Sequence, residues 1–213
     1  MVPIVTYSLI TFAVEEEARS FRRRRTVPTL VLVTGMGSKN AQQALYQALT
    51  GPLPERVLTC GFAGGLNPEF PAGTVLFSAD QDFDLTPALV AAGARLACFH
   101  RADRVIITAA EKHVLRQTTG ADAVEMESAI IRAICRERGI PSATLRVISD
   151  AAEEDLPLDF NRLMDAKGRL RYDRLVVALL KSPGRIRALI RMGLRTRRAA
   201  KELAKVLSSL FSP

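Results

Sequence analysis

At 213 residues and 48% hydrophobic content, the chain is long enough for one globular domain with a substantial core. No apolar run approaches the roughly 18 to 20 residues that cross a bilayer. The net charge of +8 is unevenly placed: Lys181 to Lys205 holds nine basic residues against Glu202 alone, so the rest of the chain sums to zero.

Met1 to Val14 is apolar but lacks a basic flank and a small-residue cleavage site, and it runs into three glutamates, so a buried first strand is expected instead of a signal peptide. Ile4 to Ala13 and Thr29 to Thr34 read as strands. Gly35-Met36-Gly37 then breaks the chain, and Ser38 or Asn40 is placed to cap a helix through Leu49. Arg56 to Cys60 is a short strand expected to stop at the glycine-rich Gly61 to Gly65. Thr74 to Ala79 and Val105 to Thr108 read as strands, with helices near Ala88 to Ala94 and over Glu111 to Thr118. Ala121 to Glu125 is extended, and Met126 to Gly139 has helical periodicity with Gly139 as its cap. Ala143 to Ser149 is the last strand of the body. From Pro183 on, Ile186, Leu189, Ile190, Leu194, Leu203, Val206, Leu207 and Leu210 recur at three- and four-residue spacing between arginines, which predicts a basic amphipathic helix or helix pair.

Strands alternating with helices imply an α/β fold with a mainly parallel sheet and helices on both faces. The charge step divides the chain into a body, 1–180, and a basic helical extension, 181–213. Cys60, Cys98 and Cys135 are odd in number and set among apolar residues, as buried reduced thiols of a cytoplasmic protein. His100 and His113 have no ligand-like spacing to cysteine, and no metal site is expected. Three acidic groups end apolar runs: Glu15-Glu16-Glu17, Glu125 and Glu127 in Val124 to Ser128, and Asp150 after Arg146-Val-Ile-Ser. In α/β sheets strand ends open onto the ligand crevice, so such carboxylates point to chemistry on a cationic transition state or to sugar hydroxyls.

Four segments in order carry a resemblance: the N-terminal glutamates, TCGFAGGL (Thr59 to Leu66), VEMES (Val124 to Ser128) and RVISDAAEEDLPLDF (Arg146 to Phe160). Together they resemble the nucleoside phosphorylase and nucleosidase superfamily, over about the first 160 residues. The resemblance implies a single-domain mixed sheet partly closed into a barrel and flanked by helices, in a homo-oligomer with a dimer favoured. It implies cleavage of the N-glycosidic bond of a purine nucleoside, adenine above all. In that chemistry the ribose becomes oxocarbenium-like while negative charge moves onto the departing base.

By the same resemblance Asp150 is the general acid that gives or shares a proton with the purine imidazole, and Glu17 orients the attacking water. Burial at the strand end is expected to keep Asp150 protonated or hydrogen-bonded. Glu127 grips the ribose hydroxyls and Met126 lies under the sugar. Glu125, Phe62, Ala63, Gly64 and Ser149 complete the substrate-binding set, and Gly35, Gly37, Thr59 and Gly61 surround the nucleophile or a phosphate. Thr59 stands where phosphate-using members place an arginine, which favours water, although phosphate as co-substrate stays open. No cofactor is implied.

The short length and the tail look most like the hopanoid-associated branch, implying a large apolar 5′ group of the adenosylhopane kind. Methylthioadenosine or S-adenosylhomocysteine nucleosidase activity is the alternative, as is a phosphate-dependent purine nucleoside phosphorylase. The basic tail over 181–210 fits peripheral contact with the inner face of a membrane, or packing on the sheet. Nucleic acid is a poor match: the basic segment carries no aromatic stacking platforms.

Overall fold

The computed structural model describes residues 7–24, 29–165 and 183–211, together with Arg171, Asp173, Arg174 and Val177. The boundary at residue 180 lies outside these, as do the first residues of the expected strand from Ile4. Eight strands form one sheet: β1 (Ser8–Phe12), β2 (Thr29–Val33), β3 (Arg56–Gly65), β4 (Val75–Ala79), β5 (Arg95–Leu96), β6 (Phe99–Arg101), β7 (Ala123–Glu125) and β8 (Ser142–Asp150). Their order is β2-β1-β3-β8-β4-β5, with β7 on β3 and β6 on β7. Only β4 with β8 and β3 with β7 are antiparallel, so the sheet is mixed but mainly parallel.

The segment 95–101 closes the barrel. It passes from β4 to β7, which returns to β3, and the joint is held by Ala97 N–H donating to Phe77 O at 2.9 Å and Asp122 N–H to Cys98 O at 2.8 Å. Ala63, Phe70, Leu76, Ala97, Ala123 and Ile148 pack together as the core these strands enclose.

The helices are α1 (Glu15–Arg22), α2 (Ser38–Ala48), α3 (Thr86–Ala91), α4 (Ala109–Thr119), α5 (Ser128–Glu137), α6 (Phe160–Leu163) and α7 (Ile186–Leu210). On one side α1, α3 and α7 bring Phe21, Leu89, Leu203 and Leu207 against Ile10, Leu58 and Leu145. On the other, α2 and α5 bring Leu45, Ile131 and Ile134 against Leu9 and Val57. With both faces covered, β1 and the central β8 read as near-continuous buried runs. Gly139, at φ +65°, follows the last turn of α5 as expected of a C-terminal glycine.

The basic tail is a single helix, not a pair, and its two halves differ. Ala199, Ala200, Leu203, Ala204 and Leu207 are buried in the main core, while Ile186, Ile190 and Leu194 are exposed. No helix among the described residues is long and apolar enough to cross a membrane.

Three expectations are corrected. β3 does not stop at Cys60 but continues through Gly65 in register with β8. Val105 to Thr108 is not a strand, because its backbone bonds elsewhere: Val105 pairs twice with the Asn161 side chain at 2.9 Å, and Ile107 O accepts from Leu156 N–H at 2.8 Å. Cys98 is exposed, whereas Cys60 and Cys135 are buried as expected.

Candidate active site

The expected carboxylates come together at the ends of β1, β7 and β8. Asp150, Glu127, Glu125 and Glu17 all line one cavity of about 870 Å³, with Met126, Phe62, Ala63, Gly64, Ser149 and Gly35. This falls within the range of pockets that hold nucleoside-sized ligands.

The sequence places each carboxylate by a local device. Glu17 occupies the third position of α1, and its Oε2 accepts the N–H groups of Ala13 at 2.9 Å and Val14 at 3.3 Å. Its Oε1 accepts Phe62 N–H at 2.8 Å, tying β1 to β3. Of the three adjacent glutamates, Glu17 is therefore the buried one. Glu127 stands at the start of α5, and its Oε1 accepts Gly37 N–H at 2.8 Å.

Asp150 ends β8 at an irregularity. β3 and β8 shift register between Ala63 and Gly64, so Ile148 pairs with Ala63 while Asp150 pairs with Gly64. Neighbouring residues of a regular strand face opposite sides, but the extra residue lets both Ser149 and Asp150 line the cavity. Ser149 Oγ then donates to Asp150 Oδ1 at 2.6 Å.

Arg146, quoted in the motif but given no role, is the centre of the site. Its side chain is 1% exposed, and Nη2 lies 2.6 Å from Glu125 Oε2 and 3.5 Å from Glu127 Oε2. Gly61 is the reason the group fits. A Cβ there would stand 2.5 Å from Arg146 Nη1 and 2.6 Å from Glu17 Oε1. The glycine run is thus a strand stripped of side chains where two buried charged groups approach, not a turn.

One guanidinium faces three carboxylates, and they respond differently. Burial alone would raise Glu125, but Arg146 and the N–H groups of Ser128 and Glu127 hold it below the ordinary glutamate value. Its oxygens are taken by Glu127 N–H, Ser128 N–H, Ser128 Oγ and Arg146, so it anchors Arg146 and does not point into solvent. Burial pushes Glu17 up despite Arg146 and three backbone donors. Burial also lifts Glu127 from 4.5 to about 7, with Glu125 adding to the rise and Arg146 opposing it. For Arg146, burial works against the charge, but the three glutamates outweigh it and hold the guanidinium charged.

A pH dependence follows. A carboxyl raised in the folded state keeps its proton where the unfolded chain has lost it, so stability falls as pH rises from about 4.5 to about 7. For Glu127 the loss is about 3 kcal/mol, at about 1.4 kcal/mol per pH unit. Glu17 contributes in the same direction. Thermal melts should show a falling midpoint between pH 5 and 7.5, and Glu127→Gln should flatten that slope.

Of the four positions expected around the nucleophile, three are placed otherwise. Gly35 lines the cavity, but Gly37, Thr59 and Gly61 do not. Gly37 spends its N–H on Glu127, and Thr59, 1% exposed, accepts from Arg146 Nη2 at 3.4 Å. They support the carboxylate cluster from behind.

A second residue that sequence reading missed is Lys112 of α4, which lies against Asp150 with Nζ 2.5 Å from Oδ2. Asp150 is thus held by two donors, Ser149 and Lys112, and not by burial alone. The rest of the wall is mostly apolar, with Val33, Met36, Ile106, Leu156, Phe160 and, from α7, Met192, and is joined by the charged residues Glu15, Glu16, Arg104, Asp165 and Arg171.

A family model described as the phosphorylase superfamily matches residues 97–181. A 5′-methylthioadenosine/S-adenosylhomocysteine nucleosidase of Geobacillus kaustophilus (strain HTA426) is 26% identical over 177 residues, 67% of this chain and 75% of that protein. Two solved structures share the fold. Futalosine hydrolase of Helicobacter pylori strain 26695 has a TM-score of 0.68 at 18% identity, covering 97% of each chain. The Campylobacter jejuni 5′-methylthioadenosine/S-adenosylhomocysteine nucleosidase has a TM-score of 0.69 at 17% identity, covering 97% of this chain and 98% of that one. The four motifs in order, their carboxylates around one cavity, and this fold make the chain similar to the nucleoside phosphorylase and nucleosidase superfamily.

Proposed function

We propose that this protein hydrolyses the N-glycosidic bond of a purine nucleoside, adenine being the base, whose 5′ position carries a large apolar group. The observation that carries the reading is the convergence of Asp150, Glu127 and Glu17 on one cavity. Asp150 gives or shares a proton with the imidazole of the departing purine, and Ser149 steadies it. Glu127 grips the ribose hydroxyls above Met126, and its negative charge favours the developing oxocarbenium. Glu17 orients the attacking water. The reaction consumes one water molecule and no cofactor, and the proton that water loses on bonding C1′ offsets the one passed to the departing base.

The charge balance supports water over phosphate. Glu17, Glu125 and Glu127 already share the single buried guanidinium of Arg146. A phosphate dianion beside them would find that guanidinium already committed, with Thr59 in place of an arginine to receive it. The apolar part of the wall, including Met192, supports a 5′ substituent with more hydrocarbon than a methylthio group. The tail adds to this. Ile186, Ile190 and Leu194 recur every four residues on the exposed half of α7, at 41%, 59% and 52% exposure, with Arg187, Arg191 and Arg195 between them. Such a stripe suits shallow insertion at an anionic, inner-face lipid surface where a lipid-like nucleoside resides. Assembly as a homodimer is carried over from the resemblance alone.

One assay tests the whole reading. Adenine release is followed from methylthioadenosine and from a 5′-alkyl adenosine, and hypoxanthine release from inosine. Each is run with and without phosphate, free or on anionic vesicles. The alkyl adenosine should turn over fastest without phosphate, and faster on vesicles at low salt than at high salt. Turnover that requires phosphate would overturn hydrolysis. A preference for methylthioadenosine would overturn the apolar substituent. Base release from none of them would end the proposal.

A further inference from the structure

Lys112 is a fully buried lysine, with 0% of its side chain exposed, and lysines are almost never so placed without partners. Its ammonium has three hydrogens and meets three acceptors. These are Asp150 Oδ2 at 2.5 Å, Ala151 O at 2.8 Å and Glu154 O at 2.9 Å. All three acceptors belong to the five-residue stretch that begins at Asp150.

The start of α4 is clamped to the two residues that follow this stretch. Asp155 Oδ1 accepts Ala109 N–H at 2.7 Å, and Ile107 O accepts Leu156 N–H at 2.8 Å. Thr108 and Glu111 close a capping box that fixes where the helix begins: Thr108 Oγ1 accepts Glu111 N–H at 3.1 Å, and Glu111 Oε2 accepts Thr108 N–H at 3.0 Å. Lys112 comes one residue after that box, so the backbone fixes where its side chain starts and burial holds the stem. It does not line the cavity, whereas Asp150 does. With Ser149 on Oδ1 and Lys112 on Oδ2, the carboxyl plane of Asp150 is held from both ends.

We propose that Lys112 is a positioning residue for Asp150: it fixes the carboxyl toward the departing base and stabilises the carboxylate left when the proton is gone. The inference rests on the reading that Asp150 serves the leaving purine. As the glycosidic C–N bond breaks, its electron pair passes into the purine. A proton moves from Asp150 to the imidazole nitrogen, and the carboxylate so formed faces the Lys112 ammonium across 2.5 Å. A fixed cation where negative charge develops acts without reorganisation.

The test separates leaving-group activation from general damage. Lys112→Met should lower kcat for adenine release about 100-fold, the scale of general acid catalysis, with KM changed by less than about 3-fold. With a nitrophenyl riboside, whose nitrophenolate departs without a proton, the same variant should keep its rate within about 3-fold. Because Lys112→Met leaves Asp150 buried without its cation, the double variant Asp150→Asn/Lys112→Met is measured as well. It removes both charges and should be no slower than Asp150→Asn alone, since Lys112 acts only through Asp150. Equal losses on both substrates, an unchanged adenine rate, or additive losses in the double variant would each overturn the proposal. Wild-type protein that cleaves the nitrophenyl riboside but no purine nucleoside would overturn the purine reading beneath it.

Discussion

Asp150→Asn is expected to lower kcat for adenine release by about 10³-fold, with a native melting transition. Asparagine keeps the shape and still offers an oxygen to one of the two donors, Lys112 or Ser149, so the contacts that hold the end of β8 survive in part. What disappears is the carboxyl group that serves the departing base. The loss should fall on kcat and spare KM, because the proton matters only as the base departs. Single-turnover rates and equilibrium binding of a non-cleavable analogue distinguish the two effects. A variant that binds normally yet releases adenine at the wild-type rate would remove Asp150 from the chemistry.

Arg146→Met is expected to have the largest effect on stability, a loss of about 3–5 kcal/mol, because it strands buried carboxylates without their cation. For a chain of this size that lowers the melting midpoint by about 10 °C. The sign of the pH response makes the test specific. Without the guanidinium, Glu17, Glu125 and Glu127 should all take up protons more readily, so the deficit should shrink as pH falls toward 5. Activity should vanish at every pH, since Glu127 and Glu17 lose the charge that sets their ionisation. A deficit that stays constant from pH 5 to 8 would mean that Arg146 matters only as packing.

Much of this arrangement is legible in the sequence because it is local. The apolar runs that become β1, β2, β4 and β8 announce themselves, as does the helix after Glu127. Acidic residues at the ends of such runs fall at one edge of the sheet, so Asp150, Glu127 and Glu17 can be gathered from the motifs. Contacts that the chain makes across long separations are less visible. Lys112 is 38 residues from Asp150 and sits in a helix, where a lysine ordinarily reads as solvated. Arg146 lies inside an apolar strand, and its partners are known only once β3, β7 and β8 are paired. The glycines at 61–65 mislead for a physical reason. Glycine favours turns by default, yet at Gly61 its lack of a side chain lets Glu17 and Arg146 come close. Val105 to Thr108 has strand-like composition, but its hydrogen bonds go to Asn161, Glu111 and Leu156, and Val105 and Ile106 line the cavity.

Helix α7 bears on how the protein can be handled in the laboratory. Its last turns lend Leu203, Ala204 and Leu207 to the interior, each leucine stabilising by about 1.5–3 kcal/mol when buried. Net stability of a whole domain is only about 5–15 kcal/mol. Trimming the chain back to residue 180 would therefore yield aggregates, and poor recovery on vesicles would say nothing about lipid affinity. Reversing charge at Arg187 and Arg191, both exposed, leaves the anchoring half untouched and isolates the surface question.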